Sequence, residues 1–405
     1  MNILFISTQD KPPWGGAEEL WSDTALHALS AGHQVAVWVS EREDIHPKLR
    51  QLEANGATIY YWAVSPSPTS IPSRILRRLG VGLEKSSWAF ARWSQAEASL
   101  PLVPDVVCVS QGGTYCALQT KGLTAWILSQ PSPLLLLCHS HRSWALPDAL
   151  DRPAARQLFE NAASVCFVAQ ANLDAARRFL ASSLPRAHVV QNPVNLLDQS
   201  AVSWPTTDVT HFATVARLNC RDKGQDLLIE TLASEKWKQR SFKLSIFGTG
   251  PDQEYLTELI ACHQLEGQVR LCGHESDLRK IWAEHHLLIL PSLSEGTPLS
   301  LIEAQLCARP ALVTRVDGNP EWVDDGETGF IAEAPSVHHL SLALERAWEA
   351  RDRWQEIGNA ARAQCVVKRD PEPAGALLKL IESARRTGTV ATINQPNSTP
   401  ESGSR

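Results

Sequence analysis

The stretch Glu295-Gly-Thr-Pro-Leu-Ser-Leu-Ile-Glu303 sets two carboxylates around a glycine, a threonine and a proline. The apolar run Leu287–Leu290 ahead of it suits a strand, and Pro298–Ala308 behind it suits a helix. Thr297 stands where it would cap that helix, and Pro298 fits its first turn. Gly296 permits close approach of the backbone to a ligand. The free N–H groups and positive dipole end of such a helix favour an anion such as a diphosphate. Glu303 lies about a turn and a half into the helix, where a carboxylate can accept hydrogen bonds from a ribose diol. Glu295, in the loop, is free to reach sugar hydroxyls. From these residues alone, an ordinary capped helix with surface glutamates reads equally well.

Arg217-Leu-Asn-Cys-Arg-Asp-Lys223-Gly224 follows the strand-like run Phe212–Ala216. Arg217 and Lys223 at the carboxyl end of a strand can converge on one diphosphate, the first as a rigid fork, the second as a compact charge. A solvated charged loop is the bland reading, and Arg221 and Asp222 suit it. A third candidate is Leu134–Cys138 followed by His139-Ser-His141. A strand ending there aims the His139 imidazole off its carboxyl end, and His141 faces the same way and competes. As a metal pair, His-x-His lacks further ligands. Trp14 and Trp144 lie beside the Gly15-Gly16 loop and the histidines, where they would stack a sugar ring or pack at a domain edge. The pairs His285/His286 and His338/His339 fall on expected helix or loop surface.

The elements that must position these residues alternate regularly. Asn2–Ser7 is an apolar strand, Lys11–Gly16 a turn-rich loop, Ala17–Ala31 a helix by the spacing of its apolar residues, and Val35–Val39 a strand. This is a parallel β-α-β unit. The grammar recurs at Val106–Ser110, Leu134–Cys138, Val165–Ala169 and Val189–Gln191. Pro193 and Pro205 mark a connection. A second series then sets strands at Phe212–Ala216, Phe242–Phe247, Val269–Leu271, Leu287–Leu290 and Ala311–Thr314, with helices at Asp226–Leu232, Gln253–His263 and Pro298–Ala308. The fold class is therefore α/β, with two Rossmann-like doubly wound parallel-sheet domains facing across a cleft.

Composition bounds the partners. The chain has 405 residues, 43% of them hydrophobic and 20% charged, enough for two domains with real cores. Lys plus Arg is 38 against 44 Asp plus Glu, a net charge of −6, which speaks against a dedicated nucleic-acid binder. The excess of acid lies in the second half, while residues 1–195 are near neutral. No run is long enough to span a bilayer, and Ile3–Ile6 lacks the flanks of a signal peptide. The nine cysteines form no Cys-x-x-Cys pair, and several lie in apolar runs, as reduced thiols do in a cytoplasmic protein.

Taken together in chain order, these segments resemble the retaining glycosyltransferases of family 4, which have the GT-B fold. The matches are Arg217 with Lys223, Glu295-x7-Glu303, "FGTGP" at Phe247–Pro251, "DGNPEWVDDGETGF" at Asp317–Phe330, "GGAEELW" from Gly15 and "QNPVN" from Gln191. The resemblance covers about residues 1–385. It implies an N-terminal acceptor domain over 1–195, a linker over 196–208 and a nucleotide-sugar domain over 209–368. It further implies a C-terminal helix over 369–387 packing back on the first domain; the remainder, 388–405, is rich in Thr, Asn, Ser and Pro, a composition that predicts a disordered tail. It implies that Arg217 and Lys223 hold the donor diphosphate, Glu303 the ribose and Glu295 the transferred sugar. Gly296, Thr297, Pro298 and Leu299 would line the donor, and Gly15 and Gly16 would close on it. His139 would stand at the reacting carbon. No cofactor and no metal is then required, since cations and a helix dipole meet the developing charge.

Ile71–Trp93 is of another kind. Ile71, Ile75, Leu79 and Leu83 recur every four residues among Arg74, Arg77, Arg78, Lys85 and Arg92, and Trp88, Phe90 and Trp93 follow. Such a stretch suits peripheral contact with the inner face of the cytoplasmic membrane and a lipid-linked acceptor, or a helix packed on the first domain. The expected activity is transfer of a sugar from a nucleoside-diphosphate sugar to an acceptor hydroxyl with retention. A nucleotide-sugar epimerase on the same fold and a non-catalytic binding subunit are the rivals.

Overall fold

The computed structural model describes residues 1–9, 14–40, 45–62, 103–119, 122–141, 146–196 and 198–393, with 387–393 by backbone alone. Ile71–Trp93 and Trp144 lie outside the described residues.

Two parallel sheets carry the fold. The first orders its strands β3-β2-β1-β4-β5-β6-β7. These are β1 (Asn2–Ser7), β2 (Gln34–Ser40), β3 (Thr58–Trp62), β4 (Val106–Gln111), β5 (Leu134–Cys138), β6 (Ser164–Phe167) and β7 (Ala187–Val189). The second orders them β10-β9-β8-β11-β12-β13. These are β8 (Thr210–Val215), β9 (Phe242–Phe247), β10 (Val269–Gly273), β11 (Leu287–Leu290), β12 (Ala311–Thr314) and β13 (Gly329–Ala332). Each sheet reverses its winding once, between β1 and β4 and between β8 and β11. A crevice opens at such a switch point outside the carboxyl ends of the strands. The glycine loop follows β1, Arg217 follows β8 and Glu295 follows β11, so topology alone gathers them there.

Central strands such as β4 and β5 are buried along their whole length, as parallel strands covered on both faces must be. Their unbroken apolar runs made them legible. The short edge strands β3 and β13 were not expected, and β7 begins two residues before the strand read at Val189–Gln191. Each domain has a core on both faces of its sheet. Among the described residues, seven tryptophans (Trp21, Trp38, Trp126, Trp237, Trp282, Trp322 and Trp354) are buried.

The chain passes between domains twice. After β7 it runs along the second domain, pinned by Arg279 to the carbonyls of Asp198 and Ser200 (2.9 and 2.8 Å). Arg362 holds the carbonyl of Gln199 (3.0 Å). It returns after Lys368 into the helix Pro373–Ile393, whose Leu377, Leu378 and Ile381 complete a core of the first domain. That helix runs beyond residue 388, where a disordered tail was expected; residues 394–405 lie outside the described ones. The Gln191 side chain ties the two crossings, donating to the Lys368 carbonyl (3.1 Å) and accepting from the Asp370 N–H (2.7 Å).

His285 and His286 are corrected. They lie buried at the foot of β11, not on a surface. His285 donates Nδ1–H to the Ile281 carbonyl (2.7 Å), and His286 Nδ1 accepts the His211 N–H (3.0 Å). All nine cysteines are free thiols.

Candidate functional site

On the second domain, the turn after β8 is pressed into place by glycines. A Cβ on Gly248 would meet the Ala216 carbonyl oxygen at 2.0 Å, and one on Gly250 the Leu218 carbonyl oxygen at 2.2 Å. This close approach shapes the turn that carries half-buried Arg217. The short helix Cys220–Lys223 follows and ends on Gly224, whose φ of +62° L side chains rarely adopt. A Cβ there would meet the Pro291 carbonyl oxygen at 2.2 Å, so only glycine brings this helix against the loop after β11. Lys223 then reaches Glu295, Nζ to Oε1 at 2.7 Å. Ser292 Oγ donates to the same carboxylate oxygen (2.7 Å). Glu295 is 5% exposed, and its N–H donates to Asp317 Oδ2 (2.7 Å). Burial pushes the Asp317 carboxyl up to about 6, against the pull of the Glu295 N–H and of Lys223.

The helix after Glu295 spans Leu299–Leu306. Pro298 is its cap residue, and Thr297 does not cap it. The Thr297 hydroxyl instead donates across the domain boundary to the Val168 carbonyl (2.8 Å). The sequence pattern suggested a local bond, and a tertiary partner took it. The first N–H groups of the helix have no intrahelical acceptor. Glu303 is buried at 5% exposure, and burial pushes its carboxyl up to about 7, with the charge of Glu19 from the first domain adding to the rise.

The first domain meets this loop closely. A Cβ on Gly296 would lie 2.0 Å from the His139 carbonyl oxygen and 2.6 Å from Val168 Cγ2. Asn172 Nδ2 donates to the Glu295 carbonyl (3.4 Å). Glu321 of the second domain accepts the Ala171 N–H (2.9 Å) in the first turn of the helix Gln170–Leu180. That turn has no cap of its own. Gly15 caps the helix Gly16–Ser30, and a Cβ on Gly16 would lie 3.2 Å from Leu299 Cδ1.

The histidines separate. His139 sits with Nε2 3.2 Å from Ser110 Oγ, its carbonyl against Gly296. Burial lowers its ring to about 4, with the Asn192 side chain opposing, so the imidazole is neutral at neutral pH. His141 turns instead to Tyr115, edge to face at 5.7 Å, and burial with Arg178 nearby lowers it to about 4. The two therefore do not face the same way, because strand alternation ends at Cys138. Trp14 is already engaged: its Nε1–H donates to Glu19 (2.7 Å) and its ring stacks on His46 at 4.2 Å. Lys48 in turn pairs with Glu19 and with Asp23.

Reading by sequence missed Asp317, Ser292, Ser110, Glu19 and Glu321. Asp317 and Glu321 fall in the quoted run Asp317–Phe330 and Glu19 in the run from Gly15, but the partner of each is tertiary, and the runs single out no one residue along the chain. Among the described residues, no group of three or more His, Cys, Asp or Glu is placed to hold a metal ion. None of the described helices is long and apolar enough to cross a membrane.

Residues 202–364 match the family model "Glycosyl transferases group 1". The GtfA subunit of the UDP-N-acetylglucosamine–peptide N-acetylglucosaminyltransferase of Streptococcus pneumoniae is 27% identical over 164 residues, 40% of this chain and 32% of that one. The N-acetyl-alpha-D-glucosaminyl L-malate synthase of Bacillus anthracis is 33% identical over 120 residues, 30% of this chain and 32% of that one. The chain thus spans about a third of the length of these relatives. Anabaena HepE with UDP-glucose superposes with a TM-score of 0.69 at 18% identity, covering 95% of this chain and 100% of that one. Staphylococcus aureus TarM in complex with UDP, alpha-GlcNAc-glycerol and fondaparinux gives a TM-score of 0.68 at 12% identity, covering 94% and 99%. The fold is that of the GT-B glycosyltransferases, two Rossmann-like domains in series.

Proposed function

We propose that the chain is a glycosyltransferase moving a sugar from a nucleoside-diphosphate sugar to an acceptor hydroxyl. The observation that carries this reading is the Lys223–Glu295 pair at the mouth of the Leu299–Leu306 helix, with Glu303 buried behind it. The pair lies inside the region matched by the family model and at the switch point between β8 and β11.

In this reading Lys223 and Arg217 take the diphosphate, and Lys223 leaves Glu295 as the phosphate arrives. Glu295 is then released to the hydroxyls of the transferred sugar. The N–H groups of Leu299 and Ser300 face the phosphate oxygens, where negative charge grows as the sugar departs. Preorganised donors stabilise that charge without reorganising. Glu303 accepts the ribose hydroxyls. His139 presents a neutral ring and a backbone carbonyl to the sugar, and Gly15 and Gly16 close over the donor. No metal is needed for these steps. Transfer proceeds with retention, the acceptor attacking from the face of the leaving phosphate. The acceptor is a sugar hydroxyl, on a glycan or a lipid-linked carrier.

Relatives and neighbours named for N-acetylglucosamine transfer, or seen with UDP and UDP-glucose, support a uridine diphosphate sugar as donor. A thermal-shift panel of UDP, GDP and ADP tests this, since a ligand of the native state alone raises the melting temperature. UDP should give the largest shift, and equal shifts for all three would sink the base assignment. Arg217→Ala and Glu303→Ala should abolish most nucleotide release from UDP-sugars while remaining folded. Full activity in both would refute the reading. An inverted linkage in the product by NMR would refute retention.

A further inference from the structure

Asp317 is half-buried and holds a backbone conformation with φ of +44°, the left-handed region that favours glycine. Its neighbour Gly318 would accept such a backbone without strain, yet the left-handed position carries a carboxylate. Strained positions that keep a functional side chain point to a function for that side chain. The Asp317 carboxylate accepts the Glu295 N–H at 2.7 Å. One residue on, the Gly318 N–H donates to the Gly296 carbonyl at 3.1 Å. The turn thus clips the loop on both sides of the Glu295–Gly296 peptide, the root of the carboxylate that holds Lys223. A carboxylate accepting a backbone N–H makes the stronger, charge-assisted kind of hydrogen bond. The charged groups facing Asp317 are Glu295 on the clipped loop and Lys223 from the short helix, with Ser294 adding a hydroxyl.

We propose that Asp317 is a positioning residue for sugar transfer, fixing the Glu295 backbone and adding a second negative charge that keeps Lys223 aimed into the cleft. The inference rests on the glycosyltransferase reading given above. In this role Asp317 acts through Glu295 and Lys223. Its ionised form does this work, so the positioning weakens as the solution is acidified through the range in which Asp317 gains its proton, about 6.

Two variants separate position from fold. D317G relieves the left-handed strain and removes the carboxylate. D317N keeps a side chain that tolerates this conformation and an oxygen that can accept the N–H, but removes the charge. Nucleoside diphosphate release is measured separately from UDP-glucose and from UDP-N-acetylglucosamine, each titrated to give its own kcat and KM. D317G should retain or raise the melting temperature yet lose about tenfold to a hundredfold in kcat, the scale expected when a reacting group drifts by about an ångström. Its donor KM should move by less than the loss in kcat. D317N should recover part of that loss. It should also lack the acid limb near pH 6 expected in wild-type kcat/KM, while any limb from Glu303 near 7 stays in both. Hydrogen exchange over residues 292–299 should speed up in D317G and less in D317N. Wild-type kinetics, pH profile and exchange in D317G would overturn the positioning role. No release by wild-type protein would instead overturn the reading on which it rests.

Discussion

The two walls of the cleft use charge in opposite ways. On the second domain, Lys223, Glu295 and Asp317 are set against one another inside the site, with Ser292 satisfying a spare lone pair. On the first domain, Glu19, Lys48 and Asp23 are paired with one another, and Glu19 also accepts the Trp14 N–H while its charge acts on Glu303 across the cleft. Among its described residues, that domain brings a neutral imidazole and backbone against the loop after β11 and its helix: His139 and Gly16. Among the described residues, one wall sets opposed charges beside the mouth of the Leu299–Leu306 helix, and the other brings mainly backbone and a neutral ring to it.

Lys223→Ala should break the comparison most severely. Nucleotide release should fall by about 10²–10³-fold, the scale for losing one preorganised donor to developing charge. It also leaves Glu295 buried and unpaired, so the melting temperature should drop as well. Pairing it with Glu295→Ala should restore stability but not activity, which chemical denaturation and an activity assay together would show.

Gly296→Ala comes next. Its new methyl would overlap the His139 carbonyl, so the walls must part by an ångström or more. Release should fall by about tenfold or more, and the radius of gyration from small-angle scattering should rise. An unchanged scattering curve with normal activity would mean the walls do not meet here in solution.

Acid should weaken the fold mainly through its histidines. His139, His141 and His286 are each lowered to about 4, from an unfolded value near 6.5. The unfolded chain therefore binds more protons between these limits, and stability is lost as pH falls through them. Glu303 and Asp317, raised to about 7 and about 6, act the other way as they protonate in the folded state. The three histidines outweigh the two carboxyls, so the urea midpoint should fall from pH 6.5 to 4. His286→Gln should flatten that fall, at a site remote from the cleft.

Trp14→Phe should cost about 1 kcal/mol by removing one hydrogen bond to Glu19. Donor KM should rise by only a fewfold, because the glycine loop is loosened rather than lost. The smallest effect is expected for Gln191→Ala, at about 1 kcal/mol or less by thermal melt. Its two backbone bonds tie the crossings together without touching either wall.

Legibility differed between the walls for the same reason. The second domain packs its chemistry into two short segments, around Arg217–Lys223 and Glu295–Glu303, and the family model also matches there. The first domain assembles its wall from the ends of several strands, and its pattern is diffuse. The place of His139 just past an unbroken apolar strand was legible; its separation from His141 was not, since the loop beyond Cys138 obeys no period. Trp14 looked like a sugar platform from its place beside the glycines, but its ring and its N–H are taken by His46 and Glu19. Thr297 had the type and place of a helix cap, and a carbonyl of the other domain claimed its hydroxyl.

By itself the sequence determined the two doubly wound sheets, through buried strands at regular spacing, and the two segments that carry opposite charges to one switch point. Those are local patterns, and local hydrophobicity and turn chemistry suffice to write them. Only the tertiary structure decided that Lys223 lies on Glu295, that Asp317 accepts the Glu295 N–H, and that Gly296 touches the opposite domain. Those contacts join residues far apart in the chain. Their partners are set by sheet order and by the close approach of backbones, which no spacing along the sequence encodes.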